Sequence, residues 1–276
     1  MLGASGMLGR DVVRAAERAN HDVAALARSD ADVTHPEAVR KAVLREAPAA
    51  VVNCAAYTDV DGAEAEAEEA MRVNGEGGGA VAAAAAEAGA AVLYPSSDYV
   101  FDGKKPGPYR ESDEPRPLSA YGRSKLAGER ATARANERHF VVRSSWLFGA
   151  GGRNFVDTML GLAETEDQVL VVRDQVGSPT FTGHLADGLV QLLDTAAFGL
   201  HHMTAAGECS WYEFAKAIFE RAGAGCRVLS CTTAELARPA PRPPYSVLDT
   251  DWSDPIRLPS WEEGLDAYLA DRVATP

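Results

Sequence analysis

Tyr121 and Lys125 stand four residues apart, a spacing that puts both side chains on one face of a helix, one turn from each other. A phenol beside an ammonium suits proton transfer to a carbonyl oxygen. Free tyrosine titrates near pH ~10, too high for easy exchange at neutral pH. A cation within ~4–6 Å favours the phenolate and lowers that value, and Lys125 is expected to supply it. Upstream, Ser96, Ser97 and Asp98 close an apolar run. Ser97 falls at a strand end, where ligands bind in parallel sheets. Its hydroxyl can donate to a substrate carbonyl in the manner of an oxyanion-hole donor. Ser96 is the rival for that role, and a plain strand-end hydroxyl or N-cap is the alternative reading.

A Tyr and a Lys at this spacing occur by chance in many helices, so a second signal is needed. Gly3, Gly6 and Gly9 open the chain in the run Gly3-Ala-Ser-Gly-Met-Leu-Gly9. The spacing differs by one residue from G-x-G-x-x-G but meets the same need: a tight turn, backbone close to a pyrophosphate, and a helix close to its strand. A helix starting near Gly6 offers free N–H groups and the positive end of its dipole to phosphate. Together with Tyr121, Lys125 and Ser97, this predicts a nicotinamide-dependent reductase. Arg28 falls at the end of the second strand, about 20 residues beyond the glycines, where an Arg accepts a 2′-phosphate and an acid binds a ribose 2′-OH. Asp30 and Asp32 follow closely. The reading favours NADPH, with NADH as the alternative; a solvated strand end is the plain reading of Arg28.

The elements that must hold these groups alternate between helical and strand patterns. Helices are expected over Met7–Ala19, Pro36–Glu46, Asp61–Ala88 (with a break near Asn74–Gly79) and Ser119–Asn136. Strands are expected over His21–Ala27, Ala50–Cys54, Ala90–Ser96 and Phe140–Ser145. This alternation predicts an α/β fold, a Rossmann-like doubly wound parallel sheet. The second half adds helices at Asn154–Ala163, His184–Asp194, Trp211–Ala222 and Trp261–Leu269, a strand at Gln168–Val172 and a proline-rich loop at Pro239–Pro244. Residues 1–150 are read as the dinucleotide-binding domain and 151–276 as mostly a smaller substrate-binding lobe, with segments returning to the sheet. A dinucleotide fold needs a strand directly before its glycine loop, yet only Met1 and Leu2 precede Gly3. That strand is expected to be missing here and to lie upstream in the natural product.

Bulk composition narrows the partners. Of 276 residues, 46% are hydrophobic and 24% charged, ordinary for a globular protein. A net charge of -13 argues against nucleic acid and anionic membranes. No apolar run is long enough to span a bilayer, and no signal-peptide pattern opens the chain, so a cytoplasmic protein is expected. Cys54, Cys209, Cys226 and Cys231 show no paired spacing and are read as buried free thiols. His201 and His202 are read as structural or exposed.

These residues resemble the extended short-chain dehydrogenases/reductases, and more closely the dTDP-4-dehydrorhamnose reductase family. The resemblance covers nearly the whole chain. It rests on the glycine loop, Asn53–Asp61, Val73-Asn74, Ser96–Gly103, Tyr121–Glu129, Arg143–Trp146, Asn154-Phe155, Asp174–Thr180 and Arg242–Leu248. It implies reduction of a C4 ketone on a dTDP-linked 6-deoxy sugar, with Tyr121 and Lys125 as the catalytic pair and Ser97 in place of the family's frequent Thr. Ser5, Gly6, Met7 and Leu8 would contact the cofactor's pyrophosphate side, and Asp32 and Val33 would lie near adenine. Ala56, Tyr57 and Thr58 would line the cofactor cleft. Val60, Asp98 and Trp146 would face the sugar nucleotide. A homodimer is the candidate assembly; the magnesium of some relatives is not carried over, for want of a ligand set. Another keto-sugar reductase or epimerase, and a non-catalytic subunit resembling the regulatory partner of methionine adenosyltransferase, are the competing readings.

Overall fold

The computed structural model of the chain describes residues 1–274. Four strands pair in parallel in the order β1 (Ala50–Val52), β2 (Ala91–Ser97), β3 (His139–Ser144) and β5 (Gly199–His202). The register sets Val52 opposite Leu93, Tyr94 opposite Val141 and Arg143 opposite His202. β1 and most of β2 are short apolar runs, as expected where helices cover both faces of a sheet.

Beyond β1 the sheet continues through single bridges. Leu2 pairs in parallel with both Asn53 and Leu26. Its N–H donates to Val52 O at 2.9 Å, and its carbonyl accepts from Cys54 N at 3.0 Å. Met1 and Leu2 thus occupy the central place of the strand expected before the glycine loop. The strand expected over His21–Ala27 shrinks to one bridge at Leu26. At that bridge Leu26 N donates to Met1 O at 2.8 Å, and its carbonyl accepts from Ala4 N at 3.2 Å.

Helices cover both faces. On one, α1 (Met7–Arg18) and α8 (Thr182–Leu193) pack Leu8, Val12, Leu185 and Leu189 onto Leu93, Phe140 and Val142. On the other, α2 (Pro36–Glu46) and α5 (Gly77–Glu87) pack Val39, Val43, Val81 and Ala85 onto Leu2, Val51 and Val92. α6 (Ala120–Ala135) packs beside α5 and over β2. A separate core gathers Phe148, Val156, Phe214, Ile218 and Leu265. It lies among α7 (Phe155–Ala163), α9 (Trp211–Ala222), α10 (Trp261–Ala274) and a parallel pair of strands, β4 (Gln168–Val172) and β6 (Arg227–Cys231).

The helical stretch 61–88 is interrupted, though not where expected. The interruption comes at Glu66, between α3 (Gly62–Ala65) and α4 (Ala67–Ala70). From Ala67 to Glu87 the coil runs on through a π-helical turn, Met71–Glu76. Gly77, Gly78 and Gly79 do not break it. A Cβ on Gly77 would come 3.0 Å from Val33, on Gly78 3.0 Å from Tyr94, and on Gly79 3.1 Å from Ala131, so the glycines permit close approach instead. His201 and His202 are both buried at the end of β5, which rules out an exposed pair. Among the thiols, Cys54 is only half-buried, at the strand end.

Gly128 on α6 makes the tightest of these contacts. A Cβ there would stand 2.2 Å from Tyr94 Oη and 2.3 Å from Asn74 O, two atoms that already hydrogen-bond each other at 3.0 Å. Alanine gains ~1 kcal/mol of helix propensity over glycine, while overpacking typically costs ~1–3 kcal/mol or more. Gly128→Ala is therefore expected to lower the unfolding free energy in urea by ~1–2 kcal/mol; a variant as stable as the parent would show that α6 has slack here.

Candidate active site

A cleft of about 620 Å³ opens at the C-terminal ends of the strands. It sits where the chain leaves Leu2 in one direction and β1 in the other, the switch point at which open α/β sheets bind ligands. The glycine loop forms one wall. Gly3 has φ +69°, and a Cβ on it would lie 2.5 Å from Ala55 N; one on Gly9 would lie 2.2 Å from Gly3 O. Gly6 caps α1 with no side-chain hydrogen bond. The first N–H groups of α1, on Met7, Leu8 and Gly9, therefore lack intrahelical acceptors, and these residues line the cleft with Gly6. A bare helix start cradled by glycines fits the phosphates of a dinucleotide.

α6 brings the catalytic candidates to the opposite wall. Ser119 caps it by accepting from Gly122 N at 3.1 Å, and Glu64 Oε1 accepts from Ala120 N at 2.7 Å. Tyr121 and Lys125 both face the cleft. Lys125 is buried, its Nζ donating to Pro95 O at 2.7 Å and lying 4.3 Å from the centre of the Tyr94 ring. Burial lowers its ammonium to about 8. The Tyr121 phenol is not lowered as expected. Burial, and then the charge of Asp98, push it up to about 12. Tyr99 meets the Tyr121 ring edge to face at 5.8 Å.

Ser97 and Asp98 form the floor. Ser97 Oγ donates to Asp98 Oδ1 at 2.9 Å and accepts from Tyr99 N at 3.2 Å. Ser96, the rival, is committed elsewhere: its hydroxyl donates to Glu129 Oε1 at 2.5 Å. Glu129 in turn accepts two bonds from Arg143, from Nε at 2.8 Å and from Nη2 at 2.7 Å, both side chains being buried. Asp98 is 1% exposed, and its Oδ2 has no hydrogen-bond partner among the described residues. Burial raises its carboxyl to about 7.

The remaining wall comes from beyond β3. Trp146 has φ +49°, unusual for a bulky residue. Its indole stacks on Trp211 at 3.6 Å and 6°. Gly177 lies beneath it, where a Cβ would come within 2.5 Å of the ring.

The sequence profile of the RmlD substrate binding domain matches residues 1–273. The chain belongs to the dTDP-4-dehydrorhamnose reductase family. It is 48% identical over 256 residues to the dTDP-4-dehydrorhamnose reductase of Streptomyces griseus, covering 90% of this chain and 84% of that one. It is 41% identical over 264 residues to the dTDP-4-keto-6-deoxy-D-glucose reductase of Streptomyces niveus, covering 93% and 92%. Its fold superposes with a TM-score of 0.95 on a dTDP-4-dehydrorhamnose reductase of Bacillus anthracis in complex with NADP, at 37% identity, covering 98% and 97%.

Within this reductase fold, Gly6, Met7, Leu8, Gly9, Ala56, Thr58, Val60, Ser97, Asp98, Tyr121, Lys125 and Trp146 all line the one cleft. Six other expected residues do not. Gly3 lies beneath the loop against Ala55, and Ser5 is exposed on it, its carbonyl accepting from Arg10 Nε at 2.9 Å. Val33 is a core residue against Gly77. Tyr57 turns away to Glu66, at 2.9 Å. Arg28 and Asp32 pair with each other at 2.9 Å, and Asp32 also accepts from Thr34 N and Oγ1. The Thr34 backbone N–H, more than the arginine, holds the Asp32 carboxyl well below its usual range.

Sequence reasoning gave no role to Trp211, Arg153 or the Glu129–Arg143 pair. Trp211 was findable, since Ser210 and Glu213 form a capping box that fixes it at the first position of α9. The pair had no local signal, its partners lying 14 residues apart on a helix and a strand. Removing one partner of a buried pair typically costs ~3–5 kcal/mol, whereas an apolar replacement of both is often neutral. Arg143→Leu is thus expected to lose ~3–5 kcal/mol in urea unfolding, with most of it recovered in the double variant Glu129→Leu/Arg143→Leu. Additive losses would show that the two do not act as a unit.

Proposed function

We propose that this chain reduces the C4 keto group of dTDP-4-dehydro-L-rhamnose to give dTDP-L-rhamnose, using NADPH. The observation that carries this reading is the meeting, in one cleft, of a bare α1 N-terminus with Tyr121, Lys125 and Ser97. When bound, NADPH supplies the hydride. The N–H groups of Met7, Leu8 and Gly9 hold its pyrophosphate, and Arg28, paired with Asp32, meets the 2′-phosphate. The lobe beyond residue 150, with Trp146 and Trp211 at its face, holds the sugar nucleotide.

Tyr121 is the acid. With its phenol pushed up to about 12, it keeps its proton throughout the neutral range. It releases the proton from Oη only when the C4 oxygen gains negative charge and becomes the stronger base. Lys125, buried and lowered to about 8, orients the cofactor ribose and stabilises the phenolate left behind. Ser97 Oγ donates to the same C4 oxygen and holds the ketone in line. A cytoplasmic reaction and a homodimeric assembly belong to the same reading, on the strength of the family alone.

The Streptomyces niveus relative, named for another dTDP-4-keto-6-deoxy sugar, supports that sugar class as the second reading of the substrate. A reductase consumes NADPH in step with either ketone; an epimerase regenerates its cofactor, and a regulatory subunit shows no turnover. Tyr121→Phe is expected to bind NADPH normally and to lose ~10²–10⁴-fold in kcat, the usual worth of a positioned proton donor. Turnover within twofold of the parent would remove the acid role. Arg28→Ala is expected to raise KM for NADPH ~10-fold or more, a charged hydrogen bond being worth ~1.5–3 kcal/mol, while leaving KM for NADH within about twofold. Equal effects on both cofactors would assign Arg28 to structure alone.

A further inference from the structure

A serine hydroxyl carries one hydrogen and two acceptor lone pairs. Ser97 gives its hydrogen to Asp98 Oδ1 and accepts from Tyr99 N–H. In that arrangement nothing remains to donate to a ketone. Reversing the Ser97–Asp98 bond frees the hydrogen. If Asp98 carries a proton, its O–H donates to Ser97 Oγ, Tyr99 N–H fills the second lone pair, and the serine hydrogen turns into the cleft.

The surroundings of Asp98 favour the reversed form. The side chain is 1% exposed, lines the cleft and leaves Oδ2 unpartnered among the described residues. A buried carboxylate with an empty lone pair is costly, and protonation removes that cost. No cation faces it. From α6 comes the neutral Tyr121 phenol, from its own turn Tyr99, and from the segment after the proline-rich loop the Ser246 hydroxyl. Lys125 Nζ is bound to Pro95 O, and Arg242 reaches Asp61 and Tyr99. Burial accordingly raises the carboxyl to about 7, against the opposing pull of the Ser246 and Ser97 hydroxyls and of the Asp98 and Tyr99 backbone N–H groups. A neutral Asp98 also spares the developing C4 alkoxide a negative neighbour.

We propose that Asp98 is a positioning residue whose protonation turns Ser97 from a donor to Asp98 into a donor to the substrate ketone. The proposal rests on the reading of Ser97 as the ketone-facing hydroxyl. The Asp98 proton is not consumed. The proton that ends on the C4 oxygen leaves Tyr121 Oη, which solvent then reprotonates.

The test combines the pH profile of kcat/KM for ketone reduction with the infrared carbonyl band of a protonated carboxyl, recorded on the intact protein without substrate. In the parent, kcat/KM is expected to fall ~10-fold per pH unit above the Asp98 midpoint, and the band to vanish over the same range. Asp98→Asn, whose amide N–H donates to Ser97 Oγ at every pH, is expected to lack the band and to change less than ~2-fold between pH 6 and 7.5. Only the later limb from Lys125 should remain in it. Ser246→Ala, outside the catalytic groups, is expected to move band and limb together to higher pH. No titrating band in the parent, or an Asp98→Asn profile that matches the parent's, would overturn the proposal; the band decides it even if Asp98→Asn does not fold. Failure of the underlying reading has a different signature: the Asp98 band titrates, yet Ser97→Ala reduces the ketone at the parent's rate.

Discussion

The buried pair of Glu129 and Arg143 is the tie on which the geometry of the site depends. Glu129 sits one turn beyond Lys125 on α6, while Arg143 comes from β3. Ser96 adds a bond from the end of β2, and Arg143 Nη1 reaches His202 of β5 at 3.4 Å. The guanidinium also lies 5.0 Å from the centre of the Phe101 ring. The bidentate contact therefore fixes the helix that carries Tyr121 and Lys125 against β3, and the Ser96 bond ties the same carboxylate to the strand end that carries Ser97. Such a pair adds little net stability over apolar packing. Its worth lies in direction: a planar guanidinium donates both bonds to a carboxylate in one orientation, and the helix cannot rotate about its axis without breaking them.

Asn74 does similar work on the other side of α6. Its Oδ1 accepts from Tyr57 N at 2.9 Å, and its Nδ2 donates to Tyr57 O and to Ser124 Oγ. The π-helical turn Met71–Glu76 offsets this residue from the ladder of a regular helix, so that its amide faces α6. The segment after β1, which supplies Ala56, Thr58 and Val60 to the cleft, is thus held to the dyad helix by one side chain. Its far end is held by Asp61, which accepts from Arg242 at 2.9 Å with each oxygen.

Much of this was legible in the sequence because it is local. Tyr121 and Lys125 share a face by helical period alone, Ser119 and Asn154 announce their helices as caps, and Ser97 ends an apolar run of strand length. What escaped depends on contacts made at a distance. A glycine triplet reads as a break until Val33, Tyr94 and Ala131 are seen to fill the space beside it. A strand pattern at His21–Ala27 says nothing about whether its neighbour is long enough to pair. The phenol's expected acidity failed for the same reason. Sequence spacing set the lysine one turn away, but the burial of the phenol and the charge of Asp98, both products of the folded surroundings, decide the direction. Arg28 and Asp32 were weighed as rivals for the cofactor's ribose, whereas folding makes them partners.

The left-handed backbone at Trp146 has a consequence for the shape of the cleft. The ring is wedged between the flat face of Trp211 and the bare Cα of Gly177, so it has no free rotamer to swing into. A wider or narrower mouth would demand a peptide flip, and a bulky residue held at positive φ sits in a narrow energy well. The aromatic jaw is therefore a fixed gauge. That side of the cleft keeps its width, with little accommodation from the protein.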